Sequence, residues 1–244
     1  QKHYIRRELK GQVRLLRPTE AHVPTFGFSA FLKLISLNAR PQRTLIRQRL
    51  AASRSEGYDF HRSLKLRAGR YLVDGVSLPD VLLTVEEIKR SAERQSAKTG
   101  LEQLGIWRDR NPGPMLSFEP ASFESPAKNF KVQFLPNFGI LLNEKKVAAH
   151  IWNTARPDLD ARMTYAALSL FHPLYRDRDN PPDELAVLSL PNLQFYRLSD
   201  VGDHAEIGLR LVRRLDDLFE EVRREPPRPT APPKDRPVPP PATR

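Results

Sequence analysis

The sequence predicts an α+β protein: a basic N-terminal helical region, then a ββαββα mixed region of two ββα units, then a disordered proline-rich tail. Three observations lead there. Apolar residues recur at helical spacing from Phe28 to Trp107. After the turn-rich Asn111-Pro112-Gly113-Pro114 the pattern changes to short apolar and alternating runs. The last 19 residues hold nine prolines and almost no apolar bulk, a composition that cannot build a core. The expected boundaries are residues 1–110 for the basic helical region with its N-terminal arm, 111–128 for a linker, 129–225 for the α+β region and 226–244 for the tail.

Residues 1–27 carry six basic residues and no sustained period, as an extended arm with a short strand would. Phe28, Phe31, Leu32 and Ile35 fall at i, i+3, i+4 and i+7 and predict a first helix, which Pro41 ends or redirects. A second helix is expected over Gln42 to Ser53, on Leu45, Ile46 and Leu50, with Gly57 as its breaker. A third is expected over Asp59 to Leu72, with Phe60, Leu64 and Tyr71 in one sector and Arg62, Lys65 and Arg70 roughly opposite. Ser77 suits the N-cap of a fourth, with Pro79 and Asp80 in its first turn and Val81, Leu82, Val85, Ile88 and Ala92 as its apolar face. Gly100 is a natural stop, and a short helix holding Leu101, Leu104 and Trp107 follows.

Beyond the linker, Phe130–Phe134 alternates, and Gly139–Leu142 and Val147–Trp152 flank a turn at Asn143–Lys146. A helix from Asp158 to Phe171 comes next, with Leu159, Met163, Ala166, Ala167 and Leu170 on one face. Leu185–Leu190 and Leu193–Leu198 read as another strand pair. The last helix has the clearest pattern: Asp203 and Glu206 stand at capping-box spacing, and Ile207, Leu211, Leu215, Leu218, Phe219 and Val222 make a continuous stripe. Leu135-Pro136-Asn137-Phe138 and Leu190-Pro191-Asn192-Leu193 occupy loosely corresponding places. So short a match is more simply coincidence than duplication.

The formal net charge is +11, from 40 Lys and Arg against 29 Asp and Glu. Residues 1–72 hold 16 basic and 4 acidic residues, whereas residues 73–225 hold 20 and 24. This asymmetry points to a polyanion-facing N-terminal region. A GC-rich bacterial genome would also raise Arg, Pro and Ala together, so the placement of the charge is the stronger signal. The leading expectation is a non-catalytic nucleic-acid-associated protein, a DNA- or RNA-binding accessory subunit of a larger assembly. Its candidate phosphate-contacting residues are Arg40, Arg43, Arg47, Arg54, Arg62, Lys65, Arg67 and Arg70. The bland alternative is an arginine-rich face that pairs with acids of the middle region. The helix–break–helix around Pro41 lacks the tight glycine-containing turn of a helix-turn-helix, so that motif is not assigned.

Pro79-Asp80 followed by Glu87-Ile88-Lys89 resembles the PD…(D/E)xK pattern of metal-dependent nucleases. The resemblance covers about eleven residues. It implies a catalytic set of Asp80, Glu87 and Lys89, with two carboxylates holding Mg²⁺ and the lysine positioning a water. That chemistry needs the acids on paired strands, while Val81 to Ala92 has helical spacing and a good N-cap. A surface helix is the simpler expectation.

The remaining signals restrict the chemistry further. With no cysteine, thiolate metal sites and cysteine nucleophiles are excluded. No nucleotide-cradling or zinc-hydrolase motif occurs, and neither a metal nor a cofactor is expected outside the nuclease alternative. His61, His150 and His172 look isolated, and the acids at 177–184 lack calcium-loop spacing. A third reading is a protein-interaction module that uses the proline-rich tail and the α+β region. No apolar run reaches membrane-spanning length and no charged-then-apolar leader heads the sequence, so no membrane association and a cytoplasmic location are expected.

Overall fold

The computed structural model describes residues 23–51, 59–198 and 204–225, and within them the chain is mixed α+β with two sheets. Strand β1 (Thr25–Gly27) leads directly into α1 (Phe28–Ile35), followed by α2 (Ala39–Ala51) and α3 (Arg62–Leu72). Helix α4 (Leu78–Leu83) tightens into a 3-10 turn over Thr84–Glu87, and α5 runs over Ser91–Arg110. Strands β2 (Met115–Leu116), β3 (Ala121–Glu124), β4 (Lys131–Phe134), β5 (Phe138–Leu142) and β6 (Lys145–Trp152) come next. Helix α6 (Ala161–Ser169), β7 (Glu184–Ser189), β8 (Gln194–Arg197) and α7 (Ala205–Arg224) complete the order.

The larger sheet has the order β2-β5-β6-β7-β8, with β6 and β7 parallel and the other neighbours antiparallel. A parallel pair needs a crossover, and the segment containing α6 supplies it. The smaller sheet has the order β1-β4-β3. Strand alternation then divides the core. Val147, Ala149 and Ile151 of β6, with Ala186 and Leu188 of β7, pack in one cluster with Leu64, Ala68, Leu101, Leu104 and Trp107 of α3 and α5. Ala148, Trp152, Leu185 and Val187 belong to a second cluster with Phe28 and Phe31 of α1, Phe134 of β4 and Phe219 of α7. Because both faces of β7 are covered, every one of its residues is buried, which explains the apolar run Leu185–Leu188 at its centre.

Several boundaries differ from the sequence reading. The break after the first helix falls at 36–38, and Pro41 sits inside the first turn of α2, where a missing N–H leaves no bond unmade. Gly100 does not stop a helix but lies within α5. A Cβ there would approach the Leu64 side chain to 3.0 Å, so the glycine lets α5 lie close to α3. The expected fourth helix is instead interrupted at Ile88–Arg90, with Val85 and Ile88 both turned into the core. Segment 111–128 is more than a linker, since it contributes β2 and β3. Over residues 131–224 the order is βββαββα rather than ββαββα. The Leu135–Phe138 segment passes from one sheet to the other, whereas Leu190–Leu193 is the turn between β7 and β8. Both core clusters mix residues from before 111 with residues from after 128. His204 occupies the N-cap position of α7 without a side-chain capping hydrogen bond. Asp203, Arg54, residues 1–22 of the arm and the proline-rich tail lie outside the described residues. Among the described residues, no helix is long and apolar enough to cross a membrane.

Candidate functional site

The structure separates the candidate phosphate-contacting residues into three groups. Arg43 and Arg47, on α2, turn toward the end of α7: Arg43 Nη1 donates to Glu225 Oε1 at 2.9 Å, and Arg47 Nε donates to Glu225 Oε2 at 2.7 Å. Arg43 also pairs with Glu221. The Glu225 carboxyl is held below its ordinary range, first by the Arg47 hydrogen bond and then, against partial desolvation, by that of Arg43. Arg67 is likewise engaged, donating to Thr84 Oγ1 at 3.0 Å and reaching Glu87 at 3.3 Å. These three arginines tie elements together. Arg40, Arg62 and Arg70 are exposed, and Lys65 points elsewhere, into a cleft described below.

Asp80, Glu87 and Lys89 do not form the strand-borne set that the nuclease resemblance requires. Asp80 lies in the first turn of α4, where its backbone N–H donates to Ser77 Oγ and its carboxylate accepts from the same hydroxyl at 2.5 Å. Glu87 ends the 3-10 turn and faces Arg67, and Lys89 is exposed in the following bend. The helix-forming pattern and the Ser77 cap prevail over the motif. No group of three His, Asp or Glu side chains is placed to hold a metal ion among the described residues.

The cleft measures about 610 Å³ and opens where the start of α1, the start of α3 and the connections around β5 and β6 meet. Its deepest polar group is His150, which is 3% exposed on β6. Leu135 O can only accept, so His150 Nδ1 carries the proton and donates to it at 3.2 Å. Nε2 is then bare, and Ser29 Oγ–H donates to it at 2.7 Å. The Phe28 ring packs edge-on against the imidazole, with centroids 5.3 Å apart. Burial, followed by the positive charge of Lys65, lowers the pKa of His150 to about 3, against the backbone hydrogen bond to Leu135. The imidazole is therefore neutral at ordinary pH. A general base works best with a pKa near the operating pH, so His150 orients the Ser29 hydroxyl as an acceptor and is a weak base toward it.

Cations surround this pair. Lys33 on α1, Arg49 on α2 and Lys65 on α3 all line the cleft, and Asp59 is the one carboxylate among its described lining residues. Lys65 Nζ stands 4.0 Å from Asp59 Oδ2, and burial draws its pKa down while Asp59 opposes that shift. His61, at the N-terminal boundary of α3, has its pKa lowered by burial first and by Lys65 second. Its Nε2 lies 3.3 Å from Thr154 Oγ1, and its buried Nδ1 has no hydrogen-bond partner among the described residues. The Arg49 guanidinium lies over the Phe26 ring at 5.4 Å. At the rim, Phe60 is 36% exposed and meets His61 edge-on. Sequence reasoning placed Lys65 in the basic region but missed Ser29, Lys33, Arg49 and Phe60 as neighbours. Ser29 and His150 are 121 residues apart, and no local motif joins them.

No family model matches the chain, and no curated protein matches it. A solved structure described as "Crystal structure of SSO0001" is similar at 13% identity over 77% of this chain and 84% of that one, with a TM-score of 0.32. Similarity at that level carries no argument about fold or function.

Proposed function

We propose that this protein is a non-catalytic nucleic-acid-associated protein that holds phosphate groups through its basic N-terminal helices. One observation carries the reading: Lys33, Arg49 and Lys65 converge on a single cleft in which they face only Asp59 among the described lining residues. Like charges brought together in a partly desolvated concavity repel one another, and an anionic ligand relieves that repulsion. Arg40, Arg62 and Arg70 supply further exposed charge on α2 and α3. Arg43, Arg47 and Arg67 have no part in the contact, because carboxylates of this chain already occupy them.

The test is fluorescence anisotropy with a labelled single strand and a labelled duplex of random sequence, at low and moderate salt. Counterion release predicts affinity that falls steeply as salt rises. Lys33→Glu and Arg62→Glu should weaken binding, while Arg43→Ala and Arg47→Ala should leave it unchanged. Absence of binding to either probe at low salt would overturn the reading.

A further inference from the structure

We infer that the cleft between α1 and α3 captures a terminal phosphomonoester, with the adjoining base resting on Phe60. This inference rests on the phosphate-binding reading above and narrows it to one chemical group.

At neutral pH, Lys33, Arg49 and Lys65 contribute three positive charges and Asp59 one negative charge to the lining. His61 and His150 contribute none, since their imidazoles are held neutral by burial and by Lys65. Among the described lining residues the balance is close to two positive charges. An internal phosphodiester brings a single negative charge, whereas a phosphomonoester brings about two, its second pKa being about 6. The monoester is the better match, and a charge left uncompensated in a partly buried site is costly.

Shape and surface agree with charge. The cleft is a concavity of about 610 Å³, the size of a small-molecule pocket rather than of a groove for a double helix. A duplex lays its backbone along a surface, whereas a strand end or a free nucleotide can enter a hollow of this size. Phe60 is the exposed aromatic at the rim, and base–aromatic stacking is how single strands are held without regard to sequence. Ser29 gives its only proton to His150, so the hydroxyl is not a donor to the ligand and the lysines and Arg49 do the binding.

The same group occurs on a strand end and on a free nucleotide, and the experiment separates them. Anisotropy would be measured for one single-stranded oligonucleotide bearing a 5′-phosphate, a 3′-phosphate or hydroxyl ends, with a blunt hydroxyl-ended duplex as control, and dTMP would be tested both as competitor and directly by isothermal titration calorimetry. A phosphorylated end is expected to bind about tenfold more tightly than the hydroxyl form. Lys65→Met and Lys33→Glu, the latter at an exposed position of the lining, should each erase that preference, and Phe60→Ala should weaken the strand more than dTMP. Circular dichroism melting of each variant would show whether the fold is retained, and Lys33→Glu serves if Lys65→Met does not fold. If phosphorylated and hydroxyl-ended strands bind equally and with the same salt dependence, the inference falls while nucleic-acid association stands. If no probe binds, both fall. If dTMP binds and no strand does, the phosphomonoester site stands, the ligand is a free nucleotide, and it is the nucleic-acid reading that fails.

Discussion

Ser29 Oγ lies 2.7 Å from His150 Nε2 and closes a hydrogen-bonded line that runs from α1 through the imidazole to the Leu135 carbonyl. Both imidazole nitrogens are thereby satisfied in the neutral form, and protonating Nε2 would turn Ser29 Oγ into the acceptor and place a charge in a buried site next to Lys65. The pKa of His150 lies at about 3 in the folded chain, against about 6.5 when unfolded. Between those values the unfolded state binds the extra proton. Stability is therefore full above pH 6.5 and declines as pH falls toward 3, with a slope of up to about 1.4 kcal/mol per pH unit from this one group. His61, also depressed, adds to the decline with the same sign. His150→Gln should flatten the curve. Urea melts of the wild type and the variant at a series of pH values from 7 to 4 would check it.

The Arg43 and Arg47 pairings with Glu221 and Glu225 clamp α2 against the end of α7. The side chains are only partly covered, so salt should screen the attraction. Arg47→Ala is expected to lower Tm at low ionic strength and to shrink its dependence on NaCl. Glu225 has a depressed pKa, so its contribution is present above the ordinary carboxylate range and is lost as pH falls through the folded value. Thermal melts across a salt series would show whether the clamp stabilises the fold.

Gly208 brings α7 against α6. A Cβ there would stand 2.4 Å from the Ala166 carbonyl oxygen, a backbone atom that cannot rotate away. Gly208→Ala trades a small gain in helix propensity for that overlap. The expected net loss is about 1–3 kcal/mol, read as a lower urea midpoint with an unchanged m-value.

Asn143 and Glu144 form the two-residue turn between β5 and β6, with φ of 48° and 64°. Positive φ at both positions is the pattern that suits Asn-Gly. A left-handed Glu costs about 1–2 kcal/mol, and glycine's extra unfolded-state freedom offsets part of the gain. Glu144→Gly should therefore stabilise by about 0.5–1 kcal/mol in the same denaturant assay. Lower stability would mean that the glutamate side chain has a role that the turn geometry does not reveal.

Much of the local structure was legible in the chain. The i, i+3, i+4, i+7 spacing that begins at Phe28 becomes α1, with Phe28, Phe31, Leu32 and Ile35 all buried. The stripe ending at Phe219 and Val222 becomes α7, and Ser77 caps α4 as its position suggested. Helical period and cap chemistry act within a few residues, so a linear reading can find them. Glycines were less readable. Gly100 resembles a stop in sequence, but its role depends on Leu64 across an interface.

The candidate site shows the same division. Sequence alone determined that positive charge concentrates in the first third of the chain and that no thiol chemistry is available. Which cations are free to meet a ligand was decided by tertiary structure. Arg43 and Arg47 are spoken for because α7 ends beside α2, and Lys65 lines a cleft because α3 begins beside β6. Likewise, Ser29 and His150 meet in a hydrogen bond only when α1 packs beside β4 and α6. Charge content is a property of composition. Charge availability depends on which oppositely charged side chain the fold brings within a few ångströms, because Coulomb attraction and desolvation are set by distance in space and not by separation along the chain.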